Sequence, residues 1–162
     1  MTRPALEELE MRFGDAIRRY AASILKDREA AEDIAQEVMA RLLRSEEMPR
    51  HLKPWLFRVA RNICLHRLDK ASMRHGVRRA PEEQEMLRSM VGPLTRMVQV
   101  EQEQALRQAM DTLSPEQSEV LYLRYTEELS RAETAEVLGI AEGLVKSRAY
   151  EGIQLLRAVL DA

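Results

Sequence analysis

The chain has 162 residues and is poor in aromatics, which make up only 4% of it, and in cysteine, which occurs once. With so few aromatics, and with Ala, Leu, Met, Glu and Arg abundant, the composition points to helices packed on helices rather than to sheets. A lone Cys64 has no partner for an internal disulfide, which fits a reducing cytosol. No N-terminal apolar run resembles a secretion signal. No stretch approaches the roughly 18 apolar residues of a membrane span. A cytoplasmic protein without membrane insertion is therefore expected. Catalytic signatures are missing too. There is no Gly-rich phosphate loop and no nucleophile–base pair. His51, His66 and His75 have no metal-ligand spacing with one another or with Cys64. No cofactor, no metal and no enzymatic activity are expected.

What is present is charge, unevenly placed. The chain is 45% hydrophobic and 32% charged, with a net charge of −2. Its length suits one domain or two small ones. Residues 51–80 carry eight cations against Asp69 alone, while every other stretch is net acidic. One basic segment in an acidic chain is a local electrostatic footprint for a polyanion. Charge alone leaves open the alternative of a solvated helix face.

Periodicity organises the chain into helices. Leu6, Leu9, Phe13, Ile17, Tyr20 and Ile24 recur every three or four residues. Asp27 is a helix N-cap for a second helix reaching about Ser45, with Ile34, Ala35, Val38, Met39 and Leu42 on its apolar face. Asp33, Gln36 and Glu37 point the other way. Glu32, Asp33 and Glu37 on such a face make a solvated or protein-binding surface rather than a carboxylate site. Ser45–His51 is a polar loop. Pro54 suits the first turn of a third helix running to about Lys70. That helix is apolar over much of its circumference, so it packs on more than one neighbour. Arg58, Arg61, Asn62 and Leu65 share one of its sides. Trp55 and Phe57 beside these cations suit single-stranded nucleic acid, where bases stack and guanidinium pairs with phosphate. Hydrophobic packing is the alternative for both rings.

Residues 72–96 lose the periodicity and read as a linker with room for one short helix. Two start signals then follow. Ser114-Pro115-Glu116-Gln117 and Ser130-Arg131-Ala132-Glu133 are capping boxes. The helix from Ser130 ends at Gly139, and a last helix runs from about Glu142 to Leu160. Ala135, Gly139 and Val145 stand where a helix-turn-helix needs a small residue, a turn glycine and an apolar anchor. The second helix of such a motif offers its N-terminal residues, here Lys146, Ser147 and Arg148, to the major groove. An ordinary helical hairpin is the alternative.

Together these blocks resemble the extracytoplasmic-function (ECF, group IV) sigma factors of bacterial RNA polymerase. The resemblance rests on Ala31-Glu32-Asp33-Ile34-Ala35-Gln36-Glu37, on Trp55-Leu56-Phe57-Arg58-Val59-Ala60-Arg61-Asn62, and on Leu113-Ser114-Pro115 followed by Val145-Lys146-Ser147-Arg148. It implies an all-α protein of two small helical domains. Region 2 would span 1–72, a flexible linker 73–97 and region 4 98–162.

It also implies roles. Asp33, Gln36 and Glu37 would meet the clamp helices of the polymerase core's largest subunit, and the polymerase flap would be a further contact. The loop residues Ser45, Glu46, Glu47, Met48, Arg50 and His51, with Trp55, Arg58, Arg61 and Asn62, would bind the minus-ten element and cup a flipped base. Leu144, Lys146, Ser147 and Arg148 would read the minus-35 element of promoter DNA. An anti-sigma factor is an implied partner.

The last helix departs from the family. Leu144 replaces the usual threonine, and Glu151, Gly152 and Ile153 replace a basic stretch. Ala141 is a poor N-cap. Glu151 facing DNA would repel phosphate, and Gly152 would weaken the helix by about 1 kcal/mol. The rival function is a sigma-like decoy that binds an anti-sigma factor without initiating transcription.

Overall fold

A computed structural model describes residues 2–75 and 103–161. The chain divides into two compact units, Met1–Glu82 and Glu83–Ala162. All regular elements among the described residues are helical.

The first unit holds α1 (Arg3–Leu25), α2 (Arg28–Arg44) and α3 (Leu52–His75). Lys26, in the left-handed region at φ 60°, ends α1 with its N–H on the Ala22 carbonyl. Asp27 then starts α2, its carboxylate accepting from the N–H groups of Glu29 and Ala30 at 3.0 and 3.2 Å. Two residues thus reverse the chain and lay α2 against α1. Phe13, Ile17, Tyr20, Ala21 and Ile24 of α1 face Ile34, Ala35, Val38, Met39 and Leu42 of α2 in one core. Leu56, Phe57, Ala60, Ile63 and Cys64 of α3 complete it, and α3 packs on both other helices as its breadth of apolar surface requires. The helix runs to His75, beyond the expected end near Lys70 and the proposed linker start at 73, because no breaker intervenes before Gly76. The remainder of the expected linker, with its short helix, lies outside the described residues.

The second unit holds α4 (Glu103–Met110), α5 (Pro115–Leu121), a π-helical turn (Tyr122–Thr126), α6 (Arg131–Leu138) and α7 (Glu142–Leu160). Both capping boxes form. Ser114 accepts from Gln117 N–H while Gln117 accepts from Ser114 N–H, at 3.1 and 3.0 Å. Ser130 and Glu133 do the same at 3.0 and 2.8 Å. Between these helices the chain takes a tight path that the sequence does not announce. Glu128 sits at φ 57° without being glycine, and the buried Glu127 carboxylate accepts from the Tyr122 hydroxyl at 3.0 Å. The core gathers Ala109, Met110, Leu113, Val120, Leu121, Leu123, Leu129, Val137, Val145 and Leu156.

Candidate functional site

The acidic face of α2 follows from helical spacing. Asp33 and Gln36 are exposed and Glu37 half-exposed, while Ile34, Ala35 and Val38 between them are buried. The three polar residues therefore share one solvent side. Glu37 is not a bare charge. Its carboxylate accepts from Arg41 Nε at 3.1 Å and Arg44 Nη2 at 3.2 Å. The Arg41 hydrogen bond, helped by the charge of Arg44, holds the Glu37 carboxyl below its ordinary range. Glu32 is turned aside from the same stretch. It pairs with Arg18 of α1 at 2.7 Å, and Arg18 also pairs with Asp15 at 2.9 Å and with Glu10. Burial alone would lower the pKa of the Arg18 guanidinium, but Glu10 and Glu32 together raise it. This cluster ties α1 to α2 through Glu32, while Asp33 beside it is exposed.

The loop and α3 form a second surface on this unit. Ser45 closes α2: its hydroxyl donates to the Arg41 carbonyl at 3.1 Å, so that group is already engaged. Glu46, Glu47, Met48, Arg50 and His51 are exposed, with Met48 at 55%. The His51 carbonyl accepts from Trp55 N–H at 3.1 Å, which joins the loop directly to the start of α3. The aromatic pair then separates. Phe57 is fully buried and packs on Tyr20 with ring centroids 5.4 Å apart, so it is a core residue and cannot stack on a base. Trp55 is half-exposed, and Arg58, Asn62 and Leu65 are exposed, with Arg61 half-exposed beside them. Cys64 lies beneath this stripe. Burial pushes its thiol up to about 12, against a small opposing effect of Arg67, so it is an inert core group.

In the second unit the helix-turn-helix geometry is complete. Gly139 adopts φ 65° and caps α6 through its N–H to the Ala135 carbonyl, and Ile140 N–H reaches the same carbonyl at 3.2 Å. Val145 is fully buried as the anchor of α7. Leu144, Lys146 and Ser147 are exposed, and Arg148 is half-exposed. Ala141 gives α7 no side-chain cap, as its methyl group dictates. Of the three departures downstream, Glu151 and Gly152 meet α5, while Ile153 lines a groove of this unit. Glu151 accepts from Gln117 Nε2 of α5 at 3.3 Å. Gly152 is buried where a Cβ would stand 3.0 Å from Leu121 Cδ1, so its lack of a side chain permits close approach of α7 to α5.

One feature of this unit escaped sequence reasoning. A groove of about 550 Å³ is lined by Arg124 and Tyr125 of the π-turn, Arg131 of α6, and Lys146 and Tyr150 of α7. Arg124 donates to the Leu129 carbonyl at 2.7 Å and lies over the Tyr125 ring at 5.9 Å, which presets its position. Tyr150 is 64% exposed. A signal existed at Arg131, the first residue of α6. A cation there opposes the helix macrodipole, so local structure does not explain it.

Among the described residues, no group of three or more His, Cys, Asp or Glu side chains could hold a metal ion, and no helix is long and apolar enough to cross a membrane. The fold defines an all-helical protein of the helix-turn-helix class, the architecture with which many DNA-binding proteins meet the major groove, with an acidic face on its first unit.

The comparisons with known proteins narrow this. Residues 10–74 match Sigma-70 region 2, and residues 103–156 match Sigma-70 region 4. The ECF RNA polymerase sigma factor SigL of Mycobacterium tuberculosis is 32% identical over 151 residues, covering 88% of this chain and 81% of that protein. SigW of Bacillus subtilis is 28% identical over 158 residues, covering 91% and 84%. Among solved structures, the sigma factor RpoE of Bartonella quintana, in complex with the anti-sigma factor NepR, superposes with a TM-score of 0.63. It is 23% identical and covers 96% of each chain, a likeness of fold. The chain belongs to the extracytoplasmic-function sigma factors, alternative sigma factors that bind core RNA polymerase and direct it to promoters. The family consists of non-enzymatic transcription regulators.

Proposed function

We propose that the three surfaces divide the work of promoter recognition. Asp33, Gln36 and Glu37 dock on the basic clamp helices of the polymerase largest subunit. The 45–51 loop, with Trp55, Arg58, Arg61 and Asn62, holds the opened minus-ten element. Here the half-exposed Trp55 offers a stacking face, and the cations meet phosphate. The helix α7 and the cationic groove beside it hold the minus-35 duplex. Region 2 occupies 1–72 with its helix continuing to His75, residues 76–97 join it to region 4 from 98 onward, and the second unit also meets the polymerase flap. The protein acts in the cytoplasm and performs no bond chemistry itself. By analogy with the Bartonella quintana neighbour, which is described with an anti-sigma factor, we assign the chain a partner of the same kind.

The observation that carries this reading is the succession within one unit of an exposed acidic face on α2 and an exposed cationic stripe on α3. Against the decoy reading, Gly152 is buried against α5 and the Glu151 carboxylate is engaged by Gln117 of α5.

Two charge changes test the division. Asp33→Lys abolishes co-purification with core polymerase. Arg58→Ala leaves polymerase binding intact but lowers promoter opening, with a flatter salt dependence of DNA binding. Loss of polymerase binding in Arg58→Ala would mean that the surfaces are assigned the wrong way round.

A further inference from the structure

Leu144 stands out among the exposed residues that open α7. It is the third residue of the helix, 40% exposed, and its exposed neighbours are Glu142, Gly143, Lys146 and Ser147. A single exposed leucine on an ordinary surface needs no explanation. This one sits in the first turn of the helix whose N-terminal residues enter the major groove in a helix-turn-helix.

The edges of the base pairs in that groove are donors and acceptors almost throughout. The one apolar group they offer is the C5-methyl of thymine. Leucine against that methyl removes apolar surface from water on both sides. Leucine against guanine O6 or cytosine N4 covers a polar group without replacing its hydrogen bond, which is unfavourable.

The neighbouring side chains divide the remaining tasks. Ser147 is three residues on and shares the side of α7 that carries Leu144. Its hydroxyl donates to the Gly143 carbonyl at 3.1 Å, which leaves lone pairs facing outward. Lys146 lies on the groove side with Arg124 and Arg131, where the three cations suit phosphate. Ser147 also lines the groove and stands between Leu144 and Lys146 around the helix, so Leu144 is an apolar group at the edge of the cationic surface.

We infer that Leu144 is a specificity residue for the minus-35 element and reads a thymine methyl group there. The inference rests on the assignment of α7 as the duplex-reading helix. Its test uses the full chain bound to core polymerase and a duplex pool randomised across the upstream element. Selection enriches a thymine at one position. Replacing that thymine by deoxyuridine, which removes only the methyl, weakens binding about fourfold, the order expected for one buried methyl group. Leu144→Ala binds the thymine and uracil duplexes equally, and its exposed position leaves the fold intact. Equal binding of both duplexes by the unsubstituted chain overturns the inference, as does an undiminished methyl preference in Leu144→Ala. A pool with no enriched sequence overturns the assignment of α7 itself, and this inference with it.

Discussion

The two units present charge in different ways. In the first, each chemistry belongs to one helix: carboxylates on α2 and cations on α3. In the second, Arg124, Arg131 and Lys146 come from three elements and meet only when those elements pack. A surface carried by one helix needs only that helix to form and face outward. A surface assembled from three elements inherits the stability of the core beneath it. On the proposed division of labour, duplex reading in the second unit is coupled to packing, while polymerase docking in the first is coupled mainly to helix orientation.

The largest effect expected is on the first unit's core. Phe57→Ala removes a fully buried ring from its contact with Tyr20 and costs about 3–5 kcal/mol, read by denaturant unfolding. Amide protection should fall across residues 2–75. A loss near zero would mean that Phe57 is a surface ring after all.

A smaller effect sharpens the contrast in the second unit. Gly152→Ala gains about 1 kcal/mol of helix propensity but forces a Cβ to within 3.0 Å of the buried Leu121 side chain. Overpacking costs about 1–3 kcal/mol, so a net loss of about 1 kcal/mol is expected. DNA binding should weaken with it, because α7 carries one wall of the groove. Full DNA affinity in a destabilised Gly152→Ala would break the coupling between packing and duplex reading.

The smallest effect concerns Glu37. Its native pKa lies below the ordinary 4.5, so its pairing with Arg41 and Arg44 is fully present above about that pH and is lost as pH falls through the native value. The stability difference between the unsubstituted chain and Glu37→Gln should be small, constant from pH 7 to 5, and vanish at lower pH. A difference that changes between pH 7 and 5 would place another titrating group at this site.

Legibility in the sequence followed the range of the interactions. Asp27, Ser114, Ser130 and Gly139 mark their helix ends by chemistry within four residues, and each boundary forms as the spacing dictates. The outward side of α2 was equally plain, since periodicity decides it. Phe57 was ambiguous because its fate depends on Tyr20, 37 positions earlier in the chain. The π-turn and the left-handed Glu128 carried no glycine or asparagine to announce them. Glu151 and Gly152 read as defects when only their own helix was considered. With α5 beside α7, Gly152 is a packing position and Glu151 an exposed partner of Gln117. The groove was hidden for the same reason, apart from the misplaced cation at Arg131.

The most direct test of the division of labour is permanganate reactivity of promoter thymines in complexes of core polymerase with this chain, at matched polymerase occupancy. The unsubstituted chain should expose unpaired thymines in the minus-ten element. Arg58→Ala should remain bound upstream yet lose that reactivity. The double variant Arg131→Ala/Lys146→Ala should lose upstream binding while still opening a preformed bubble. The contrary result, with opening lost in the double variant on a preformed bubble and retained in Arg58→Ala, would place strand opening in the second unit and contradict the account.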